Sequence, residues 1–321
     1  MRIVAAGLSL AFALLPASVL GQAYPSKPIR VVVPFPPGGT SDIIGRTLGQ
    51  KLGEAWGQPV IMDNRSGVAG SIGAAVAAKA PPDGYTLLVG NVGPVAVNNS
   101  IYKSTGYDPL RDFTPITLAV TAPQIVVVHP SVPAKNFKEF AALVKRNQGK
   151  INYGSSGPGS ISHLSAELYK RMTNTDMLHV PFKGSALITI ALLSGEVDVV
   201  FSDMAVVLPH VQAGRLRALA VTGPKPTPLV PGVPSVAESG VPGFAMTSWW
   251  GMLGPAGMQQ PVVTRLNTEL TRILRLADVQ KTFATLGVDA ATSTPEEFGA
   301  FIKSEVAKYA KLTQEIGIEK Q

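Results

Sequence analysis

The 321-residue sequence contains no cysteine and few charged side chains. Without cysteine, the chain cannot form disulfide bonds, thiolate metal sites, iron–sulfur clusters or thiol nucleophiles. Charged residues make up 15% of the chain and hydrophobic residues 45%, whereas an average protein has about 25% charged residues. A chain with this much apolar surface to bury is not intrinsically disordered. Its length suits one large or two medium-sized domains.

The basic residues are not clustered either. The 28 Lys and Arg residues exceed the 21 Asp and Glu residues, which gives a formal net charge of +7. A nucleic-acid-binding protein would concentrate its basic residues beside stacking aromatic side chains, but the densest basic run is Lys145-Arg146. We therefore predict no nucleic-acid partner, and we take the mild positive charge as a preference for small anions.

The amino-terminal segment has the pattern of an export signal. Arg2 precedes an apolar run over 3–15, and the small residues Gly21 and Ala23 follow. The alternative is a membrane anchor, but the run is shorter than the roughly 20 residues that span a bilayer. The pattern predicts a secretory signal peptide over 1–23, cleaved after Ala23.

The rest of the chain alternates short β-branched runs with helical patterns. We predict strands over 29–33, 60–62, 85–90, 124–128, 151–153, 178–182, 197–201 and 216–221. We predict helices over 40–52, 71–79, 137–145, 160–172, 185–193, 204–208, 261–275 and 295–315. Strands separated by helices indicate an α/β fold with a mainly parallel sheet. The proline-rich stretch over 223–243 predicts a long, stiff connection.

Two pairs of passages share a layout. At 29–52 and at 151–172, a strand enters a glycine-rich turn that opens a helix. At 85–97 and at 197–207, a strand ends in a small polar residue before a helix. Open α/β sheets bind ligands beyond the carboxyl ends of their strands. Two similar lobes facing each other would therefore bring four strand ends to one cleft.

The two glycine-rich turns could bind anions. A helix amino terminus exposes backbone N–H groups, and the helix dipole favours negative charge there. Hydroxyl side chains within 38–41 and 155–160 add hydrogen-bond donors. One turn could hold one carboxylate, and two opposed turns could hold a dicarboxylate. Ordinary turn chemistry remains the alternative at this point.

Enzyme signatures are missing from the sequence. The segment Gly154-Ser155-Ser156-Gly157 approaches a serine-hydrolase elbow, but Pro158 stands where the second glycine of G-x-S-x-G is needed. There is no P-loop sequence and no acidic cluster for a divalent metal. None of the four histidines forms a pair at metal-binding helical spacing. We therefore predict a protein that is not an enzyme and has neither a metal nor a cofactor.

A set of motifs in one register carries a family resemblance. The motifs are Pro34–Asp42, Asp83–Leu88, Tyr107–Phe113, Tyr153–Gly157, His163-Leu164, His179–Ser185, Gly214–Thr222, Val233–Glu238 and Trp249–Gly251. Together, from about Tyr24 to Ile316, they resemble the Bug-type substrate-binding receptors of tripartite tricarboxylate transporters. One departure lies at 89–96, where this chain lacks the family's more usual serine- and histidine-bearing stretch. That departure bears on which distal group of the ligand the protein recognises.

The resemblance implies a two-lobed, type II-like periplasmic binding protein with a Venus-flytrap cleft between its lobes. We expect lobe 1 to comprise 24–122 plus 246–321 and lobe 2 to comprise 123–245. The implied function is to capture a small carboxylate in the periplasm by hinge closure and deliver it to the membrane subunits of the transporter. Di- or tricarboxylates, aromatic carboxylates and acidic amino acids all stay open as ligands. We expect the protein to act as a monomer. The alternative function is that of a periplasmic sensor that presents the bound form to a signalling partner.

The resemblance also implies a set of ligand-binding residues. The first-lobe loop supplies Phe35, Gly38, Gly39, Thr40 and Asp42. The second-lobe loop supplies Ser155, Ser156, Gly159 and Ser160, with His163 behind it as a buttress. The remaining wall consists of Asn91, Ser185, Ser202 and Asp203. Asp203 has two interpretations, since it could cap the helix over 204–208 or bind an ammonium or hydroxyl group of the ligand.

Overall fold

The computed structural model describes residues 24–318 and Lys320, which form ten strands and ten α-helices. The strands are β1 (Ile29–Val33), β2 (Val60–Asn64), β3 (Thr86–Asn91), β4 (Phe113–Val128), β5 (Asn152–Ser155), β6 (Leu178–Pro181), β7 (Val199–Asp203), β8 (Arg217–Val221), β9 (Thr247–Pro255) and β10 (Asp289–Ala290). The helices are α1 (Thr40–Trp56), α2 (Ser71–Ala78), α3 (Asn98–Ile101), α4 (Phe137–Arg146), α5 (Ile161–Thr173), α6 (Ser185–Ser194), α7 (Met204–Gln212), α8 (Gln260–Leu274), α9 (Ala277–Thr285) and α10 (Pro295–Glu315).

The predicted signal peptide over 1–23 and its cleavage site lie outside the described residues. Within the described residues, no helix combines the length and apolar character needed to cross a membrane.

The strands form two sheet regions that share β4. In the first region the order is β2-β1-β3-β9-β4, with β1 parallel to β2 and β3, and β9 antiparallel to both of its neighbours. In the second region the order is β4-β7-β5-β6, and β8 also pairs with β4. β4 pairs with β9 over Phe113–Pro123 and with β7 over Gln124–Val128. A single strand therefore runs through both regions, and the exact lobe boundaries stay a prediction.

Most predicted elements are present, but the sheet is mixed rather than mainly parallel. The prediction missed β9, the first part of β4, the short β10 and the helices α3 and α9. Proline interrupts the apolar pattern of β4 at Pro115 and Pro123, and its pairing with β9 is irregular after Pro115. Glycine interrupts β9 at Gly251 and Gly254. Such residues are unusual in strands, so the sequence pattern did not identify these segments.

Helices cover both faces of the first region, and this fixes where the β1–α1 loop lies. Ile29, Val31 and Val33 pack with α1, whereas Val32 belongs to a separate core that includes α2. Successive strand side chains point to opposite faces, so β1 is buried on both. A Cβ atom on Gly49 would lie 2.6 Å from Met62 Cε. The glycine therefore lets α1 approach β2 closely.

Candidate ligand-binding site

A small cavity lies where the carboxyl ends of β1, β3, β5 and β7 converge. We call it the head cavity. Its lining residues are Phe35, Thr40, Ser41, Asn91, Gly93, Ser156, Ser160, Ile161, Ser185 and Asp203. The volume is about 30 Å³, which is space for two or three water molecules at roughly 10–15 Å³ each. The four strand ends expected to meet at one cleft do meet there.

Asp42 organises the loop that precedes α1, which we call the first loop (34–42). Its carboxylate accepts hydrogen bonds from the Gly38 amide at 2.9 Å, from Arg46 Nε at 2.9 Å and from Asn64 Nδ2 at 3.0 Å. Burial raises the pKa of Asp42, but the hydrogen bonds from Arg46, Gly38 and Asn64 outweigh burial, and the pKa lies below its ordinary value. Asp42 is thus an internal brace of the loop and does not line the head cavity.

The start of α1 contacts the opposite side of the cleft. The helix begins after Gly39, and no side chain caps it. The Thr40 amide donates to Ser185 Oγ at 3.3 Å, and Ser185 is the first residue of α6. A backbone amide of the first loop therefore faces the second sheet region across the cleft, with a hydroxyl oxygen as its acceptor.

The loop between β5 and α5, which we call the second loop (154–160), is hydrogen-bonded within itself and to the helix that follows it. The Ser156 amide donates to Ser162 Oγ, the Gly157 amide to Ser155 Oγ, and the Gly159 amide to His163 Nδ1. The Ser160 amide donates to the Gly157 carbonyl. This corrects the expectation that the second loop presents amides to an anion. It presents the side chains of Ser156 and Ser160 to the head cavity instead.

Two histidines stand behind the second loop. The rings of His163 and His179 stack at 4.4 Å between centroids, and Tyr153 stacks on His179 at 4.8 Å. Ser155 Oγ forms a short hydrogen bond with His179 Nε2. The pKa of both histidines is lowered from 6.5 to about 4, chiefly by burial and, for His163, also by the neighbouring His179. Neutral rings therefore support the loop, and His163 makes the contact that a buttress would make.

Asp203 ends β7 and contributes a carboxyl group to the head cavity. It occupies the N-cap position of α7, but its side chain makes no capping hydrogen bond. Its Oδ1 accepts a hydrogen bond from Ser248 Oγ at 3.0 Å. The surrounding protein desolvates the carboxyl group, and this raises its pKa although the nearby side chains of Ser248, Thr40 and Gln124 act in the opposite direction. The capping interpretation is therefore wrong for the side chain, which belongs to the cavity wall.

Two further lining residues carry buried polar atoms without a partner in the described chain, namely Thr40 Oγ1 and Asn91 Oδ1. Buried polar atoms are nearly always hydrogen-bonded in folded proteins. A hydroxyl can donate or accept and an amide oxygen accepts, so these atoms can bond to a ligand or to water. Among the residues that the structure describes, no lysine or arginine lines the head cavity. Its chemistry consists of hydroxyls, an amide side chain, a carboxyl group and a helix terminus.

The predicted site residues fall into two groups. Those that line the head cavity are Phe35, Thr40, Asn91, Ser156, Ser160, Ser185 and Asp203. Those that do not line it are Gly38, Gly39, Asp42, Ser155, Gly159 and Ser202. Most of the second group shapes the loops: Ser155 accepts from the Gly157 amide, and Gly159 has a positive φ of 81° where a Cβ would clash with Ile101. Gly39 lies at the edge of the head cavity, since a Cβ atom there would be 3.1 Å from Oγ of the lining residue Ser185.

Sequence reasoning missed three lining residues, Ser41, Gly93 and Ile161. Ser41 Oγ accepts a hydrogen bond from Trp250 Nε1 at 3.1 Å, and Asn91 Nδ2 lies 3.5 Å from the same oxygen. Trp250 lies in β9, far from Ser41 in the sequence, so no local pattern could reveal the contact. Gly93 opens a turn of π-helix over Gly93–Val97, within the stretch where this chain departs from the family pattern.

The described residues contain no cluster of histidine, aspartate or glutamate side chains that could hold a metal ion. Hydrogen bonds join the two sides of the cleft, because the Tyr102 hydroxyl donates to the Pro158 carbonyl at 2.9 Å in addition to the bond between Thr40 and Ser185. The first and second loops are therefore close together, as a closed receptor requires.

Known proteins resemble this chain over nearly its whole length. The periplasmic binding protein BugD is 34% identical, with 93% of this chain and 100% of that chain covered and a TM-score of 0.89. A structure of R. palustris Rpa4515 with adipate is 34% identical, with the same coverage and a TM-score of 0.91. MatC (Rpa3494) from Rhodopseudomonas palustris with bound malate is 30% identical, covers 90% of this chain and 99% of that chain, and gives a TM-score of 0.85.

The family model for the tripartite tricarboxylate transporter family receptor matches residues 44–318. These similarities confirm the predicted resemblance to Bug receptors and the α/β periplasmic-binding-protein fold. They also confirm the prediction of a receptor rather than an enzyme, because the family consists of periplasmic solute-binding receptors. The chain belongs to the tripartite tricarboxylate transporter receptor family.

Proposed function

We propose that this receptor captures a small carboxylate in the head cavity and delivers it to the membrane subunits of a tripartite tricarboxylate-type transporter. The observation that carries the proposal is the convergence of five hydroxyl-bearing residues and the uncapped start of α1 on one cavity. The hydroxyl-bearing residues are Thr40, Ser41, Ser156, Ser160 and Ser185. Hydroxyl and amide donors stabilise an anion without a basic side chain, and the helix dipole adds to this at the first loop.

The related structures support a carboxylate ligand. One is described with adipate and another with malate, and each covers at least 90% of this chain. In our proposal the two loops hold the ligand from opposite lobes, with lobe 1 formed by 24–122 plus 246–321 and lobe 2 by 123–245. A ligand that contacts both loops binds the closed form better than the open form and so selects it.

A thermal-shift and calorimetry panel tests the proposal. The full mature chain is titrated with mono-, di- and tricarboxylates, aromatic acids and acidic amino acids. A ligand at a hundred times its Kd stabilises the folded state by about 2.7 kcal/mol, so its melting temperature rises by several degrees. No response to any carboxylate would contradict the proposal.

Delivery to a transporter is tested in cells. We expect a deletion strain to lose uptake of the identified carboxylate and to regain it when the gene is restored. The sensor alternative predicts normal uptake together with loss of carboxylate-induced gene expression. Mass spectrometry of the exported protein should find Tyr24 as the first residue, and retention of Met1 would contradict the proposed cleavage after Ala23.

A further inference from the structure

Asp203 is the one ionisable side chain among the described residues that line the head cavity. The surrounding protein shields its carboxyl group from water, and this raises its pKa. A buried carboxylate is costly unless a cation or several hydrogen-bond donors balance its charge. Within the described part of the chain, no lysine, arginine or histidine forms an ion pair with Asp203. The carboxyl group therefore stands in the ligand cavity without a compensating charge.

The side chains that act on Asp203 come from three other elements and are all neutral. Ser248 of β9 donates to Oδ1 at 3.0 Å. Thr40 of α1 and Gln124 of β4 also favour the ionised form of the carboxyl group. Their combined effect is smaller than that of burial, because the pKa remains raised. Asp203 thus has some polar support for a negative charge but no cation beside it.

Other ionisable side chains lie on the elements around the head cavity but do not line it. They are Asp42 and Arg46 of α1, His163 of α5, Lys183 before α6 and Asp289 of β10. Arg46 Nε is 2.9 Å from the carboxylate of Asp42, so its charge is already balanced. The pKa of His163 is about 4, so its ring is neutral at pH 7, and Lys183 is exposed to solvent. None of these groups supplies a positive charge inside the cavity.

The small volume of the head cavity brings two carboxyl groups together when an acid binds. The cavity holds about 30 Å³, so a ligand carboxylate inside it lies next to Asp203 as well as to the hydroxyl groups. Two carboxylates that share a site without a cation cannot both be ionised at neutral pH, and one of them holds a proton. Asp203 is the group prepared for this, because burial already favours its neutral form.

We propose that carboxylate binding is coupled to the uptake of one proton from solvent, which Asp203 holds while the ligand is bound. The O–H group of the protonated carboxyl donates to an oxygen atom of the ligand carboxylate. Ser248 already donates to Oδ1, which leaves Oδ2 to carry the proton. When the cleft opens, water reaches Asp203, and the proton returns to solvent as the ligand leaves. This inference rests on the proposed function, since it assumes a carboxylate in the head cavity.

The coupling makes carboxylate affinity depend on pH. The bound receptor carries one proton more than the free receptor, so affinity falls as the pH rises above the ordinary Asp pKa of 3.8. The decrease is up to about tenfold per pH unit for one proton, and it ends where the pH passes the raised pKa of Asp203 in the complex. The pKa values of His163 and His179 are about 4, so these rings do not titrate between pH 6 and pH 8.

Calorimetry on the unmodified mature chain tests the inference directly. Adipate, malate and benzoate are the probes, because they carry no amine and are ionised at pH 7. Each probe is titrated in PIPES and in Tris, whose ionisation enthalpies differ, so the difference in observed heat gives the number of protons taken up. We expect about one proton per bound carboxylate at pH 7 and at least tenfold weaker binding at pH 8 than at pH 6.

Two variants assign the proton to Asp203. Asp203→Asn keeps the size of the side chain and removes its charge, so it should bind the probes without proton uptake and equally well at pH 6 and pH 8. Asp203→Ser is a second neutral replacement with the same expected result, which keeps the test valid if Asp203→Asn does not fold. Asp289→Asn is the matched control, because burial also raises the pKa of Asp289 and this residue does not line the head cavity. The control should keep both the proton uptake and the pH dependence.

The outcomes separate this inference from the proposed function. Binding of a probe without proton uptake overturns the inference and leaves the proposed function intact. Binding of acidic amino acids alone does the same, because their ammonium group would balance the charge of Asp203. Proton uptake that persists in both Asp203 variants overturns the assignment to this residue, and weaker binding at every pH would indicate a structural role only. If no carboxylate of the wider panel binds, the proposed function itself fails.

Discussion

The first and second loops occupy equivalent positions after β1 and β5, yet they are stabilised differently. In the first loop one buried carboxylate, Asp42, holds the turn, and the Thr40 amide points across the cleft. In the second loop the amides are bonded to Ser155, Ser162 and His163 and to the loop's own carbonyl group. The first loop therefore directs one backbone N–H group, that of Thr40, across the cleft to Ser185 Oγ, whereas the second loop presents hydroxyl groups to the head cavity. A shared layout in the sequence does not imply a shared way of binding.

The largest effect should come from filling the contact between the first loop and α6. Gly39 has φ −82° and ψ 168°, which any residue can adopt, but a Cβ there would lie 3.1 Å from Ser185 Oγ. We expect Gly39→Val to fold normally and to lose carboxylate affinity by about a hundredfold or more, since the loops can no longer close. Calorimetry measures this.

Gly38→Ala is the matched control for that substitution. Gly38 has a φ of 80° and open space around its Cβ position, so alanine there costs about 1–2 kcal/mol of backbone strain without entering the cleft. Retained affinity in Gly39→Val would show that the first loop does not approach the ligand through its backbone.

The next effect tests the brace of the first loop. Asp42→Asn replaces a buried carboxylate that accepts from Gly38, Arg46 and Asn64. Hydrogen bonds to a charged group contribute about 1.5–3 kcal/mol each. We expect the free energy of unfolding to fall by about 2–3 kcal/mol in urea titrations. An unchanged unfolding midpoint would mean that the first loop needs no carboxylate brace.

Acidification should destabilise the second loop at a higher pH than the first loop. The pKa values of His163 and His179 fall from 6.5 to about 4 on folding, so between these pH values the unfolded chain binds more protons. Stability therefore decreases as the pH is lowered from 6.5 toward 4, with a slope of up to about 1.4 kcal/mol per pH unit for each proton. The stabilisation that comes from the lowered pKa of Asp42 persists to lower pH. It is lost only as the pH falls below the ordinary pKa of 3.8.

Urea titrations at several pH values between 7 and 4.5 measure this loss. The variant His179→Gln should show a shallower dependence on pH than the unmodified chain. If both proteins have the same slope, the histidine stack does not stabilise the second loop in its neutral form.

The smallest effect concerns the hydrogen bond that links Tyr102 to the second loop. Tyr102→Phe removes the donor to the Pro158 carbonyl, which is 2.9 Å away, and keeps the ring. A neutral hydrogen bond contributes about 0.5–1.5 kcal/mol, so carboxylate affinity should fall less than about tenfold. A loss as large as that of Gly39→Val would instead make this bond the main closing contact.

Local signals predicted part of this site. A β-branched strand, a glycine-rich turn and hydroxyl groups before a helical pattern correctly located the loops after β1 and β5. The contacts between distant residues could not be predicted. Trp250 reaches Ser41 from a strand whose glycines hid it, and Trp249 Nε1 donates to the buried Glu305 of α10. The second loop's bonded amides depend on the exact turn before α5, which one sequence does not specify.

The position of β9 has a consequence for the order of folding. β9 lies between β3 and β4 in the first sheet region, although it follows the whole second region in the chain. Until Thr247–Pro255 has been synthesised, β3 lacks a neighbour on one edge and the first stretch of β4 lacks its main partner. The strands β1, β2 and β3 therefore complete their sheet only after the whole second region, which follows them in the chain, has been synthesised.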